Sequence, residues 1–197
     1  MSERLWGDRR SFLKGVGTAG VAGVLVTGAS AFGGGSDGGS TLTLRAHDDG
    51  TEYHLRLSDS EASVTSSPEV STVDHRNGKT FFSGELDTGG AASVSFDGGL
   101  ERADLTAGAC SIGVDDPSGN FDGGISAEGH GFYHVVTTDA VGKAKNIETE
   151  DATMRDTLQG TVDDDVDYYE AEGAIRHADL KVIDGEELKL AHSFVEQ

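Results

Sequence analysis

Three residue types that stabilise or shape many secreted domains are nearly absent from this sequence. Its 197 residues include one Cys, two Pro and one Trp, although Gly occurs 29 times. A lone Cys excludes an internal disulfide framework. The same composition, with few Pro and no long apolar run, excludes a collagen triple helix, a coiled coil and a multi-span membrane protein.

Basic residues are also scarce. The chain has 15 Lys and Arg against 35 Asp and Glu, which gives a formal net charge of −20 at pH 7. A protein that binds duplex nucleic acid needs a basic face to displace counterions from the phosphates, so this class is excluded. The acidic residues are dispersed from Asp48 to Glu187 and are not collected in one tail.

Dispersed negative charge affects the conditions in which a chain can stay folded. Self-repulsion weakens the compact state in dilute buffer, whereas at molar salt the Debye length falls to about 3 Å and the repulsion is screened. Dispersed acids, scarce Lys and abundant Gly resemble the exported proteins of halophilic archaea. We therefore expect a high-salt environment, with an ordinary acidic secreted protein as the alternative.

The segment 1–31 has the features of an export signal and not of a folded domain. Two arginines are followed by a polar residue, two apolar residues and a lysine. The residues of this pattern are Arg9, Arg10, Phe12, Leu13 and Lys14. The pattern resembles the twin-arginine translocation motif, which implies the twin-arginine translocase as a partner during export.

A cleavage site is expected at the end of this segment. The uncharged, Gly- and Ala-rich stretch 15–27 is shorter than the roughly 20 residues that span a bilayer. Ala29 and Ala31 then place small residues at positions −3 and −1, so we expect a helical signal that is cleaved after Ala31. The mature chain would be secreted or held at the cell surface without a stable membrane span. An uncleaved N-terminal anchor is the alternative.

The mature chain is predicted to be all-β. After a Gly/Ser linker at 32–41, apolar and polar residues alternate with a period of two, as in Leu42-Thr43-Leu44. This alternation is typical of half-buried strands. A short helix is expected only at 150–158.

Two stretches of the mature chain are similar to each other. The matched segments are Tyr53-His54-Leu55 with Tyr133-His134-Val135, 83–87 with 159–163, and 98–105 with 173–180. We interpret them as a tandem duplication of units at 42–115 and 125–192, with coincidence as the alternative. Each unit has too few strands to bury both faces, so we expect the two to pack as one antiparallel sandwich or barrel.

A further resemblance lies in the first unit. The segment Phe81-Phe82-Ser83-Gly84-Glu85-Leu86 is similar to strand pairs that recur in small secreted haloarchaeal proteins, sometimes as appendages on extracellular enzymes. This resemblance implies an exported location and a β fold. It implies no chemistry.

The cysteine and two histidines can be placed on strands. Cys110 alternates with Ile112 and Val114, so we expect its thiol to be buried as a small hydrophobe. His130 and His134 are four residues apart, and on a strand they would lie about 13 Å apart, too far to share one metal ion.

A run of aspartates is the candidate cofactor site. Asp163, Asp165 and Asp167 form a D-x-D-x-D pattern whose oxygens suit calcium. The EF-hand pattern is not completed, because its twelfth position holds Ala174. We favour solvated acidic turns, with calcium binding as the alternative, and no other cofactor is expected.

The sequence contains no G-x-S-x-G, P-loop or H-E-x-x-H motif, and we nominate no catalytic residue. We predict a non-enzymatic, exported, salt-adapted β protein with a structural or interaction role toward an unknown extracellular protein or glycan. The alternative is a carbohydrate- or calcium-binding accessory module of an extracellular enzyme system, and an unrecognised hydrolase comes third. Tyr168 and Tyr169 are the candidate sugar platform, with half-buried packing as the alternative, and on a strand they would point to opposite faces.

Overall fold

The computed structural model describes residues 39–58, 61–66, 70–117, 124–145, 151–171 and 173–192. Every regular element within these ranges is a β-strand, so the all-β prediction is confirmed. No helix long and apolar enough to cross a membrane occurs in this part of the chain. The residues of the predicted export signal and its cleavage site, from Arg9 to Ala31, lie outside the described ranges.

One curled antiparallel sheet, a half-barrel, contains all fourteen strands of the described ranges. The strands are β1 (Ser40–Ala46), β2 (Thr51–Leu57), β3 (Ser63–Ser66), β4 (Val70–Arg76), β5 (Lys79–Leu86), β6 (Ala91–Phe96), β7 (Leu100–Ala107), β8 (Ala109–Asp115), β9 (Gly124–Thr137), β10 (Val141–Lys145), β11 (Ala152–Met154), β12 (Thr157–Ala171), β13 (Ile175–Val182) and β14 (Leu188–His192). Their spatial order is β3-β6-β1-β8-β13-β9-β14-β7-β2-β5-β4, and β12 pairs with the other edge of β9 and also with β10 and β11.

Consecutive strands continue one another around corners of the sheet. Gly108 alone separates β7, which pairs with β2 and β14, from β8, which pairs with β1 and β13. Backbone hydrogen bonds continue through this corner, because the N–H of Val182 donates to the Gly108 carbonyl at 3.0 Å and that of His47 to Ala109 at 2.8 Å. The chain therefore passes from one half of the sheet to the other without interrupting the hydrogen-bond ladder.

The strand β12 shows how far the sheet is bent. Its 15 residues would span about 50 Å if straight. Val141 nevertheless pairs with Ala171 at the C-terminal end of β12, and its N–H donates to the carbonyl of Arg155, two residues before Thr157, at 2.6 Å. Val141 therefore lies beside both ends of β12. The sheet must bend between these ends, and its two halves face each other.

The two halves enclose one hydrophobic core. Leu42 and Leu44 of β1 and Leu55 and Leu57 of β2 are all at most 2% exposed and belong to the same buried cluster. The residues between them face outward, in agreement with the period of two in the sequence. Each such Leu contributes about 1.5–3 kcal/mol through burial, so closure of the bend is the main source of stability.

The predicted linker 32–41 is too long at its C-terminal end. β1 begins at Ser40, which is 1% exposed and whose hydroxyl donates to the Asp116 carbonyl at 2.7 Å. Ser40 and Thr41 therefore belong to the sheet, because their strand pairs with Phe96 and Ser95 of β6.

The helix predicted at 150–158 is wrong. The segment forms a tight hairpin in which Met154 of β11 pairs with Thr157 of β12, and Arg155 at the turn has a φ of 56°. Residues 152–155 are all exposed. Leu158 is buried as part of β12, and the pairing of β11 with β12 satisfies backbone groups that a short helix would leave open at its ends.

The two similar segments of sequence occupy matching positions in the sheet. Tyr53 of β2 pairs with Gly84 on one side and Leu105 on the other. Tyr133 of β9 pairs with Gly160 and Leu180 in the same way. The register of β5-β2-β7 therefore equals that of β12-β9-β13 for the residues matched by sequence.

The corner of β9 requires glycine at position 129, and this requirement can be tested. Gly129 has a φ of 107°, and a Cβ there would overlap the carbonyl oxygen of Glu187, which accepts the N–H of His130. We expect Gly129→Ala to lower the free energy of unfolding by about 2–3 kcal/mol or more, measured by denaturant titration at molar salt.

Gly113 on β8 provides the matched control, since a Cβ there meets nothing within 4 Å. We expect Gly113→Ala to change the free energy of unfolding by no more than about 1 kcal/mol. Equal effects of the two substitutions would show that the β9 corner does not need a glycine conformation.

Candidate functional site

A row of polar side chains crosses three neighbouring strands in one half of the sheet. Asp179 of β13 lies between Ser111 of β8 and His134 of β9 in the strand register. His177 precedes Asp179 by two residues and therefore lies on the same face of β13. Strand pairing thus brings together residues that are up to 68 positions apart in the sequence.

The carboxylate of Asp179 is the centre of this cluster. Its Oδ2 lies 3.2 Å from Nδ1 of His134 and 2.9 Å from Nε2 of His177, and its Oδ1 accepts the hydroxyl of Ser111 at 2.5 Å. The Ser111 oxygen in turn lies 2.5 Å from Nε2 of His47. We call Asp179, His134 and His177 the His–Asp cluster.

Asp179 is held in its ionised form despite being only 2% exposed. Burial by itself would raise the pKa of its carboxyl, but the hydrogen bonds from His134, His177 and Ser111 outweigh burial and hold the pKa below its usual range. The two imidazoles keep 25% and 38% of their side-chain surface exposed. The cluster is therefore a buried anion covered by two accessible nitrogen bases.

Ser111 is not placed as an activated nucleophile in this cluster. Its single hydroxyl proton goes to Asp179, so Nε2 of His47 must be the donor to the Ser111 oxygen. A nucleophilic serine instead gives its proton to a neighbouring base. The geometry uses Ser111 to orient the carboxylate.

A second polar group lies inside the core. The hydroxyl of Tyr133 donates to Oδ2 of Asp167 at 2.7 Å and lies 2.5 Å from the hydroxyl of Tyr169. Burial is the main cause that raises the pKa of both tyrosines above the ordinary value. This group links β9 to the far half of β12.

Of the three predicted calcium ligands, one is buried in this polar group and two are exposed. Asp167 is 2% exposed and bound by Tyr133, whereas Asp163 and Asp165 are exposed. The register of β12 with β9 shifts between Asp163 and Asp165, and we call this point the bend of β12. Asp163 lies 2.9 Å from Nδ1 of His130. The structure does not bring the three carboxylates of the run together, and calcium binding at this bend stays a prediction for the two exposed ones.

A mixed group lies at the same bend. The donor atoms of His130, Asp164 and Glu186 lie within 4.8 Å of one another, and both acids are exposed. His130 and His134 belong to different groups of possible ligands.

The predicted sugar platform is reduced to one residue. Tyr169 is 0% exposed and lies inside the core, whereas Tyr168 is half-buried on the opposite face. Tyr168 lies over Gly124, where a Cβ would overlap its ring. Carbohydrate binding through Tyr168 stays a prediction.

Cys110 is buried, as its alternation with Ile112 predicted. Burial first, and then the nearby charge of Asp179, raise the pKa of its thiol to about 12. A thiol of this kind is inert as a nucleophile at neutral pH.

The other half of the sheet contains a buried carboxylate of its own. Glu101 is 7% exposed and binds Lys79 as well as Nε of Arg56, the latter at 3.0 Å. Nearby, burial lowers the pKa of His192 to about 4, although the charge of Glu101 opposes this shift.

Sequence reasoning missed the His–Asp cluster. The similarity between the two units places His177 and Asp179 at positions that match Arg102 and Asp104, and His134 at the position of His54, without joining the three residues. The available pattern was the His-x-Asp spacing on a strand, which places both side chains on one face. The participation of His134 and Ser111 depends on strand register and is not visible locally.

No family model matches this chain, and no curated protein or solved structure matches it either. What the chain does must accordingly be inferred from its own residues and their geometry.

The pKa of His192 predicts an acid-sensitive step in stability. The unfolded chain binds a proton at His192 near pH 6.5 but the folded chain only near pH 4, so this residue destabilises the fold as the pH falls between these values. The expected loss is about 3 kcal/mol at 1.36 kcal/mol for each pKa unit. We expect His192→Leu to remove this part of the pH dependence, measured by denaturant titration from pH 7.5 to 4.5.

The exposed His54 is the control, and His54→Gln should keep the wild-type pH dependence. Parallel pH curves for His192→Leu and the wild-type chain would mean that His192 is accessible to protons in the folded state.

Proposed function

We propose that this chain is an exported, salt-adapted, non-enzymatic β protein of the cell surface or medium, with a structural or interaction role. The observation that carries the proposal is the distribution of its carboxylates. Among the acidic side chains that the structure describes, Glu101, Asp167 and Asp179 are buried, and the others are half-buried or exposed. A surface with this excess of negative charge favours solubility, and its self-repulsion is screened at high salt.

The export part of the proposal is supported by the N-terminal sequence. Arg9 and Arg10 begin a motif similar to that of twin-arginine substrates, and that route carries folded proteins. A chain that folds before export suits a sheet whose strands pair over long sequence distances. The proposed destination is therefore the medium or the cell surface.

The origin of the fold by tandem duplication is also part of the proposal. The equal register of β5-β2-β7 and β12-β9-β13 supports it, because chance similarity of sequence would not place matched residues at matched positions in three strands. The match includes His54 with His134 and Asp104 with Asp179.

The salt adaptation predicts a measurable rise in Tm. We expect the Tm of the chain to increase by at least about 4 °C between 0.1 M and 2 M KCl, where roughly 2–4 °C corresponds to 1 kcal/mol for a domain of this size. Replacing four exposed turn carboxylates by Asn should raise the Tm at 0.1 M KCl and reduce the further gain at 2 M. The four residues are Asp48, Asp49, Asp87 and Asp184.

A control separates charge screening from the general effect of salt on burial. The substitution Thr88→Ser changes no charge at an exposed turn and should leave the salt response unaltered. An equal salt response in the fourfold Asn variant and the wild-type chain would contradict adaptation through surface charge.

Export and interaction are tested in a halophilic host that expresses the tagged chain. We expect Arg9→Lys combined with Arg10→Lys to retain the precursor in the cells, while Arg4→Lys leaves export unchanged. Cross-linking of the exported chain at molar salt should then recover a defined envelope protein or glycan. Export of the double variant would overturn the route, and recovery of the chain alone would overturn the interaction role.

A further inference from the structure

We propose that His134, His177 and Asp179 form a binding site for a divalent transition-metal ion of the zinc class. The pairing of β13 with β8 on one side and β9 on the other brings the residues of the site together. The site is separate from the aspartate run at the bend of β12. It is independent of the proposed structural or interaction role.

The donor atoms are already close to the separation that a metal ion requires. One donor atom from each residue lies within 4.8 Å of the other two, and Oδ2 of Asp179 faces both imidazoles at 2.9 and 3.2 Å. In a tetrahedral shell with bonds of about 2.1 Å, ligand atoms are about 3.4 Å apart. Small rotations of the two rings therefore suffice to point three donors at one ion.

The ligand types select the metal class. Two imidazoles and one carboxylate suit zinc and other divalent transition metals, whereas calcium and magnesium prefer shells of oxygen. The site thus supplies one carboxylate oxygen and two imidazole nitrogens.

An outer layer of hydrogen bonds orients the carboxylate. Ser111 binds Oδ1 of Asp179 and leaves Oδ2 directed at the histidines, and His47 fixes the Ser111 hydroxyl from the other side. Metal ligands in proteins are commonly oriented in this way by a second layer of partners. The partial exposure of both imidazoles provides a route for the ion and leaves its remaining position to water.

The first unit contains a related cluster in which an arginine replaces one of the two histidines. Arg102 occupies the position that matches His177, and its Nε binds both oxygens of Asp104 at 2.7 and 2.8 Å. There an arginine neutralises the carboxylate permanently. In the second unit His177 takes the place of that arginine, so no permanent cation neutralises Asp179 there and its carboxylate remains available to a metal ion.

The experiment titrates the full chain with Co²⁺, whose visible absorption becomes strong in a tetrahedral site, at constant 2 M KCl and pH 7.5. We expect one Co²⁺ per chain, displaced by an equimolar amount of Zn²⁺ but not by Ca²⁺. The decisive variant is His177→Arg, which restores the Arg–Asp pair of the first unit and so should fold while binding at least 100-fold more weakly. His134→Gln should have the same effect, and Ser111→Ala should weaken binding by about 10-fold.

Two controls separate this site from other histidines. His54→Gln alters the matching position of the first unit, and His130→Gln alters the mixed group at the bend of β12. Both should leave Co²⁺ binding within about 2-fold of the wild-type value. Thermal unfolding of each variant without metal identifies any loss of binding that comes from misfolding.

Three results would overturn the proposal: no Co²⁺ absorption in the wild-type chain, undiminished binding in a folded His177→Arg variant, or loss of the same bound ion in His130→Gln. The first would leave the cluster as an ion-pair network. The third would move the ion to the bend of β12.

Discussion

The bend of the sheet is the constraint on which the rest of this structure depends. An antiparallel sheet with a period-two pattern has one apolar face, and that face must be covered. Here the sheet covers its own apolar face, because its strands bend at corners and one half of the sheet packs over the other. The corners keep their backbone hydrogen bonds, as those from Val182 to Gly108 and from His130 to Glu187 show. Gly129, with a φ of 107°, supplies a conformation that other residues rarely adopt.

The same bend separates the charged side chains from the core. Most described carboxylates lie on the convex side and remain hydrated, which a chain of net charge −20 needs. The buried ones each have partners, because an isolated buried charge is costly. Glu101 binds Lys79 and Arg56, Asp167 accepts the Tyr133 hydroxyl, and Asp179 binds two histidines and a serine.

Local patterns predicted the strands wherever apolar and polar residues alternate clearly, as at Leu42–Leu44. They failed at 150–158, where pairing between β11 and β12 decides the conformation. They also could not show that Asp164, with a φ of 57°, is an extra residue in β12 opposite Gly129. A bulge is a property of two strands together, so the separate positions of Asp163 and Asp167 do not follow from their spacing.

The sequence by itself determined the β class, the alternation of core and surface, the buried Cys110 and the excess of surface charge, because these depend on residue type and on neighbours one or two positions away. The tertiary structure alone decided which polar side chains meet. His134 lies 45 residues from Asp179, and Ser111 lies 68 residues from it, yet strand register places all three in one row. Register is set by the closure of the whole sheet, and a shift of one residue would turn His134 to the opposite face.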